Sequence, residues 1–249
     1  SYESLSIQLG RSPVRWGQSF SSSIIQSGLS PGYDHASLSI GIKNIKYDLI
    51  SGQLSSGKDN NNARVRRFIA GKKFSWIPSK KFLIGWGDQI LYTGVSRGIE
   101  LSYINPFIPY FLSGLEDEEE ESITDNDNSM IFFFGRYLFS ENLSFYSELI
   151  IDDLQIDKTN RPNKIGFKFG LERKINIMGK YLTFFADYTY IDPDTYLHPG
   201  QYTNWNDLGY NLGYPFGPGS KNISFQFMYH YTNDFKIFLE YNYLKKNKQ

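Results

Sequence analysis

Hydrophobic and polar residues alternate along the last fifth of the chain with hardly a break. Ile223, Phe225, Phe227, Tyr229 and Tyr231 occupy every second position, separated by Ser224, Gln226, Met228 and His230. After a turn at Thr232-Asn233-Asp234 the pattern resumes. Phe235, Ile237, Leu239, Tyr241 and Tyr243 now alternate with Lys236, Phe238, Glu240 and Asn242. Successive side chains of a strand point to opposite faces, so each run predicts a strand with one apolar, largely aromatic face and one mostly polar face. A tilted strand needs about 9–11 residues to cross a bilayer, and these runs have that length.

The same period recurs upstream. It predicts strands over residues 4–9, 36–43, 45–54, 64–77, 81–92, 130–139, 143–152, 164–172 and 181–190. With the closing pair this makes about eleven or twelve strands. Short turns such as Lys43-Asn44 and Ser140-Glu141-Asn142 alternate with long connections over 11–31, 103–129 and 191–222. Tight turns on one rim and long loops on the other are the arrangement of an outer-membrane barrel. Pro106 and Pro109 argue against a long helix over residues 99–115. A soluble antiparallel sandwich alternates in a similar way, but the recurrence of the pattern along the whole chain favours the barrel. The expected fold is therefore all-β, an antiparallel transmembrane β-barrel of about 12 strands, in one domain over residues 1–249.

Composition narrows the function classes. Aromatic residues make up 17% of the chain, in keeping with a lipid-facing wall diluted by a polar lumen. There is no cysteine, which excludes disulfides and thiol chemistry. No run of apolar residues is long enough for a transmembrane helix. The chain begins at Ser1 without a signal peptide, so a mature or truncated form is expected. Net charge is zero, yet Glu116-Asp117-Glu118-Glu119-Glu120-Glu121 with Asp125 and Asp127 concentrate eight acids, and the remainder carries +8. That run reads as a solvated loop, with a divalent-cation site as the sharper alternative. It lacks the spacing and turn glycine of a calcium loop, and no metal or other cofactor is expected.

The unusual residues lie in the long connections. The first contains Gly10-Arg11-Ser12-Pro13-Val14-Arg15-Trp16-Gly17-Gln18 and, after a serine-rich stretch, Ser30-Pro31-Gly32-Tyr33-Asp34-His35. Aromatic faces stack on pyranose rings and arginine grips carboxylates, so Arg15, Trp16 and Tyr33 are candidates for sugar contact. The competing reading makes Trp16 and Tyr33 anchors at the membrane interface. The third long connection adds Tyr196, Tyr202 and Trp205 within a Gly- and Pro-rich frame. In a basic row at Arg64, Arg66 and Arg67, Arg64 and Arg66 share one face as lumen or rim charges, and Arg67 on the other is expected near a rim, because an arginine facing lipid at the midplane costs about 2–4 kcal/mol. Asp152 and Asp153 end a strand, either as turn initiators or as lumen or rim carboxylates paired with the basic row at Arg64, Arg66 and Arg67.

His35, His198 and His230 have no metal-ligand spacing, and His35 or His198 with Asp34 or Asp152-Asp153 would be needed for a barrel hydrolase. A histidine on a polar face is more simply a satisfied polar residue, and the chain is expected not to be an enzyme.

Three segments together resemble the Wzi family of capsule-assembly proteins. The first runs from Arg15-Trp16-Gly17 to Ser30-Pro31-Gly32-Tyr33-Asp34. The second spans residues 85–92, Gly98, Tyr103-Ile104-Asn105-Pro106 and Glu148-Leu149-Ile150-Ile151-Asp152-Asp153. The third contains His198-Pro199, Tyr202-Thr203-Asn204 and Gly209 through Leu212-Gly213-Tyr214-Pro215-Phe216-Gly217-Pro218. Their order and spacing match over nearly the whole chain. The resemblance implies an outer-membrane barrel at the bacterial surface that binds and retains capsular or other polysaccharide without catalysis. Its implied partners are surface polysaccharide and outer-membrane lipid, with no nucleic acid. Family barrels are larger, so the chain looks like a C-terminal portion lacking initial strands. The final Lys245-Lys246-Asn247-Lys248-Gln249 also departs from the aromatic ending usual in outer-membrane chains, a role Tyr243 would take. A channel for small solutes is the alternative function.

Overall fold

The computed structural model describes residues 3–105, 109–110, 127–153, 164–177, 179–198, 200, 202–232 and 235–247. The first strands are β1 (Glu3–Ser12), β2 (Arg15–Trp16), β3 (Gln26–Ser27), β4 (Tyr33–Ile42), β5 (Ile45–Lys58), β6 (Arg64–Ser79) and β7 (Phe82–Gly94). They are followed by β8 (Asn128–Ser140), β9 (Leu143–Asp153), β10 (Lys164–Ile177) and β11 (Lys180–Ile191). The chain ends with β12 (Asn206–Asp207), β13 (Tyr210–Asn211), β14 (Ser220–His230) and β15 (Lys236–Lys246).

Eleven strands form one sheet in the order β1-β4-β5-β6-β7-β8-β9-β10-β11-β14-β15, and every pairing is antiparallel. Each of the eleven coincides with an alternating run of the sequence. The pairs β2-β3 and β12-β13 are small ribbons inside long connections. Among the described residues β1 and β15 are the two edges of the sheet and do not pair with each other, so it is open where a closed barrel was expected.

Two-residue connections at Lys43-Asn44, Lys80-Lys81 and Glu141-Asn142 lie on one rim. The long connections, β1 to β4, β7 to β8 and β11 to β14, lie on the other. Lys43 takes a left-handed conformation, φ 55°, which closes its turn tightly. The acidic residues 116–121 and Asp125 fall outside the described residues, as does the Asn233-Asp234 turn.

Register separates the two faces. On the outer face Trp86 lies beside Phe74 and Phe133, Phe167 beside Leu149 and Tyr190, and Phe225 beside Ala186 and Tyr241. Ring pairs such as Phe74 and Trp86, centroids 4.4 Å apart, knit this surface across strands. Many of its apolar residues are exposed, among them Trp86, Phe133, Phe169, Phe225 and Leu239. The inner face carries the core, because the long connections fold onto it: Trp16, Ile24, Ile25, Tyr196, Trp205 and Tyr214 pack against Ile50, Ile69, Leu91, Phe132 and Ile150.

Candidate functional site

The connection over residues 13–32 drops onto the inner face and is held there by one carboxylate. Glu148 Oε1 accepts the backbone N–H groups of Gln18 (2.6 Å) and Ser19 (2.8 Å), and Oε2 accepts Ser23 Oγ (2.8 Å) and the N–H of Ile24 (2.9 Å). Glu148 is 1% exposed, and four donors replace its water shell, which is what makes a buried carboxylate tolerable. The loop can approach this closely because position 17 is glycine. Its φ of +128° and a Cβ that would stand 2.4 Å from Glu148 Oε1 both exclude a side chain.

A second anchor lies deeper. Lys168 is fully buried, with Nζ 3.2 Å from Asp187 Oδ1 and donating to Ser22 O (2.7 Å) and Ser21 Oγ (2.9 Å). Ser21 Oγ also donates to Asp187 Oδ2 at 2.9 Å, and Phe20 stacks on Phe185 with ring centroids 3.7 Å apart. An ion pair in such a place is tolerable only when hydrogen bonds replace its water, and the serine loop gives Lys168 two acceptors and Asp187 Oδ2 one donor.

The connection over residues 192–219 forms the other half of the plug. Arg67 Nε donates to Tyr202 O (2.8 Å), Nη2 donates to Asn206 O (2.7 Å), and Nη1 lies 3.6 Å from Asp207 Oδ1. Asp207 in turn accepts Ser55 N–H at 2.8 Å. Asp152 Oδ2 accepts the N–H of Tyr196 at 2.6 Å. The two halves are tied together where Ser27 N–H donates to Leu212 O (2.9 Å) and the Tyr196 hydroxyl donates to Ile24 O. Burial holds the phenols of Tyr196 and Tyr214 in the neutral form, pushing Tyr214 up to about 12 and Tyr196 well above its ordinary value.

These contacts relocate most of the residues singled out from sequence. Trp16, Tyr196 and Trp205 are buried in the plug, and Tyr33, the first residue of β4, is buried in the same core, not displayed on a surface. Trp16 lies over Gly71, and the Tyr33 hydroxyl donates to Gln26 Oε1 at 2.9 Å. Arg15 is exposed, but its guanidinium holds the carbonyls of Ser19 and Phe20 in its own loop. It borders a polar inner-face cavity of about 320 Å³ that is also lined by Gln8, Ser37 and Asp48. Tyr202 is half-buried at the long-loop rim, its ring over Gly57 and its hydroxyl donating to Lys58 O.

Arg64 and Arg66 correct the expected facing. They stand exposed on the outer side, beyond Phe68 and in register with Lys58 and Gly94, while Val65 and Arg67 point inward. Both arginines lie at the long-loop end of β6 and are exposed. Asp152 pairs with the plug backbone and not with them, and Asp153 closes β9 opposite Lys164. Glu148, Lys168 and Asp187, the strongest anchors, were not singled out. The available signal was a charge on the polar face of an otherwise regular strand.

The histidines serve local structure. His35 Nδ1 lies 3.0 Å from Tyr33 O, His198 Nδ1 lies 3.0 Å from Thr203 Oγ1, and His230 Nε2 lies 3.2 Å from Met228 Sδ. No group of three or more His, Asp or Glu residues placed to hold a metal occurs among the described residues.

The fold is similar to that of Wzi, an outer-membrane protein involved in group 1 capsule assembly in Escherichia coli and described as a carbohydrate-binding β-barrel. The TM-score is 0.67 at 16% sequence identity, over 95% of this chain and 53% of that one, so the chain spans about half the length of its structural neighbour. No family model matches the sequence. No curated protein matches it either.

Proposed function

We propose that the chain is part of an outer-membrane β-barrel that holds surface polysaccharide at the bacterial exterior, acting as a lectin and not as an enzyme. The observation that carries this reading is the plug. Two self-anchored loops pack on the inner face of the described sheet, where a solute channel would need open water, and this favours a binding role. The apolar, aromatic outer face and the Wzi-like fold support a membrane setting.

The surface offered to a polymer is the rim around the β5-β6 hairpin. Lys58, Arg64 and Arg66 are exposed there, with the ring of Tyr202 and the exposed Tyr210 of the β12-β13 ribbon close by. Cations beside phenol rings suit an anionic saccharide, and weak contacts repeated along a polymer add to a strong hold. The protein folded into liposomes should retain fluorescent capsular polysaccharide, and Arg64→Ala with Arg66→Ala should release most of it. A steady ionic current through the same protein in a planar bilayer would instead establish the channel reading.

A further inference from the structure

The outer wall carries a feature that a lipid-facing surface should not have. Lys72 and Asp88 face outward in the middle of β6 and β7, with Nζ 3.8 Å from Asp88 Oδ2. Their nearest cross-strand neighbours above are Ala70 and Ile90, and below them are Phe74 and Trp86. A charge in this position would be costly against hydrocarbon.

It is covered. The Tyr110 N–H donates to Asp88 Oδ2 at 2.8 Å, Lys72 Nζ stands 3.8 Å above the Tyr110 ring, and Asn105 O accepts from Nζ at 3.4 Å. Tyr103 and Tyr110 then pack on Phe68, Ala70, Ile90 and Tyr92, all buried although they belong to the outer face. The cover is braced from its far side. Tyr103 Oη donates to Asp127 Oδ2 at 2.7 Å, and Arg97 bridges Asp127 and Glu100 over the ring of Tyr92.

The covering segment is inside out for a loop in water. The hydroxyls of Tyr103 and Tyr110 and the charge of Arg97 are engaged in hydrogen bonds and ion pairs, whereas Val95, Ile99, Leu101 and Ile104 turn away, with Leu101 82% exposed. A segment with polar contacts inward and aliphatic side chains outward fits the boundary between headgroups and acyl chains. The wall just below it supports that level, since exposed Trp86 packs at a tilt against Phe74 and indole rings concentrate at membrane interfaces. We infer that residues 95–105, with Pro109 and Tyr110, form an outer strap that embeds Ile99, Leu101 and Ile104 in the lipid interface and continues the apolar band over an otherwise charged patch of wall. The inference rests on the membrane reading above, and its occupant is lipid, not a protein partner.

The absence of cysteine makes single labels clean. Leu101→Cys, Phe225→Cys on the outer wall and Leu208→Cys at the exposed ribbon would each carry an environment-sensitive fluorophore in phosphatidylcholine vesicles. The strap predicts that the Leu101→Cys label emits blue-shifted light and loses most of its fluorescence to a shallow lipid-borne nitroxide, but little to iodide. Quenching by iodide, as for Leu208→Cys, would overturn it, and so would shielding from both quenchers, which would mean a protein cover. Ile104→Cys repeats the test independently. If Phe225→Cys is also untouched by lipid-borne quencher, the membrane reading itself fails and the strap with it.

Discussion

Ser23 and Glu148, 125 residues apart in sequence, are joined by a hydrogen bond of 2.8 Å from the serine hydroxyl to the carboxylate. Ser23 belongs to a connection with little regular structure, and Glu148 to the middle of a strand. Their meeting fixes which way the first long loop turns. A loop directed outward would be available to solvent. One anchored on Glu148 closes the inner face.

Glu148→Gln leaves one carbonyl oxygen to serve four donors and sets an NH₂ group against backbone N–H groups. Stability should fall by about 2–4 kcal/mol, since hydrogen bonds to a buried charge count more than neutral ones. Limited proteolysis should then cut within residues 13–32, where the unaltered protein resists. Unchanged resistance would mean that the loop is held by packing alone.

Lys168→Met strands the carboxylate of Asp187 in a site where the lysine is fully buried. Leaving one member of a buried pair alone is expected to cost about 3–5 kcal/mol, whereas replacing both by apolar residues of similar volume should recover much of it. Urea midpoints of the single variant and of Lys168→Met with Asp187→Leu provide the comparison.

Gly57 lies directly beneath Tyr202, and a Cβ there would stand 2.1 Å from the ring. Gly57→Ala should push that half-buried ring outward with little loss of stability. If Tyr202 contacts the polymer, polysaccharide retention drops while the unfolding midpoint stays nearly constant. Full retention would remove Tyr202 from the binding surface.

Tyr196 and Tyr214 make the plug sensitive to alkali. Each phenol titrates near 10 in the unfolded chain, and burial raises both in the folded state, Tyr214 to about 12. A raised phenol binds its proton longer when folded, so its stabilisation is complete below pH 10 and is lost as pH climbs toward 12. Phenolate absorbance should therefore lag behind that of free tyrosine, and the share of the late titration that disappears in Tyr214→Phe should coincide with protease sensitivity in residues 192–219. An unchanged late titration in that variant would contradict the assignment of Tyr214.

Strands were legible in the sequence because a period of two is a local property, and all eleven main strands announced themselves in this way. Facing was harder where both faces mix charge and apolar residues. In β6 the set Arg64, Arg66, Phe68, Ala70 and Lys72 looks no more lumenal than Val65, Arg67, Ile69, Gly71 and Lys73, and register alone distinguishes them. Four of the six binding candidates lie buried for a different reason. Trp16, Tyr33, Tyr196 and Trp205 were read as display residues because they sit in loops, but these loops fold inward and use aromatics as core. Whether a loop turns in or out depends on distant partners such as Glu148 and Arg67, which no local pattern discloses.

The central claim is retention of polysaccharide, and removal of the protein from the bacterium that makes it is the most direct measurement. Cell-bound and free polysaccharide would be quantified in cultures with and without it. The account predicts that total polymer is unchanged while most of it moves from the cells to the medium, and that the intact protein restores attachment. Polymer that stays on the cells in its absence would contradict the account.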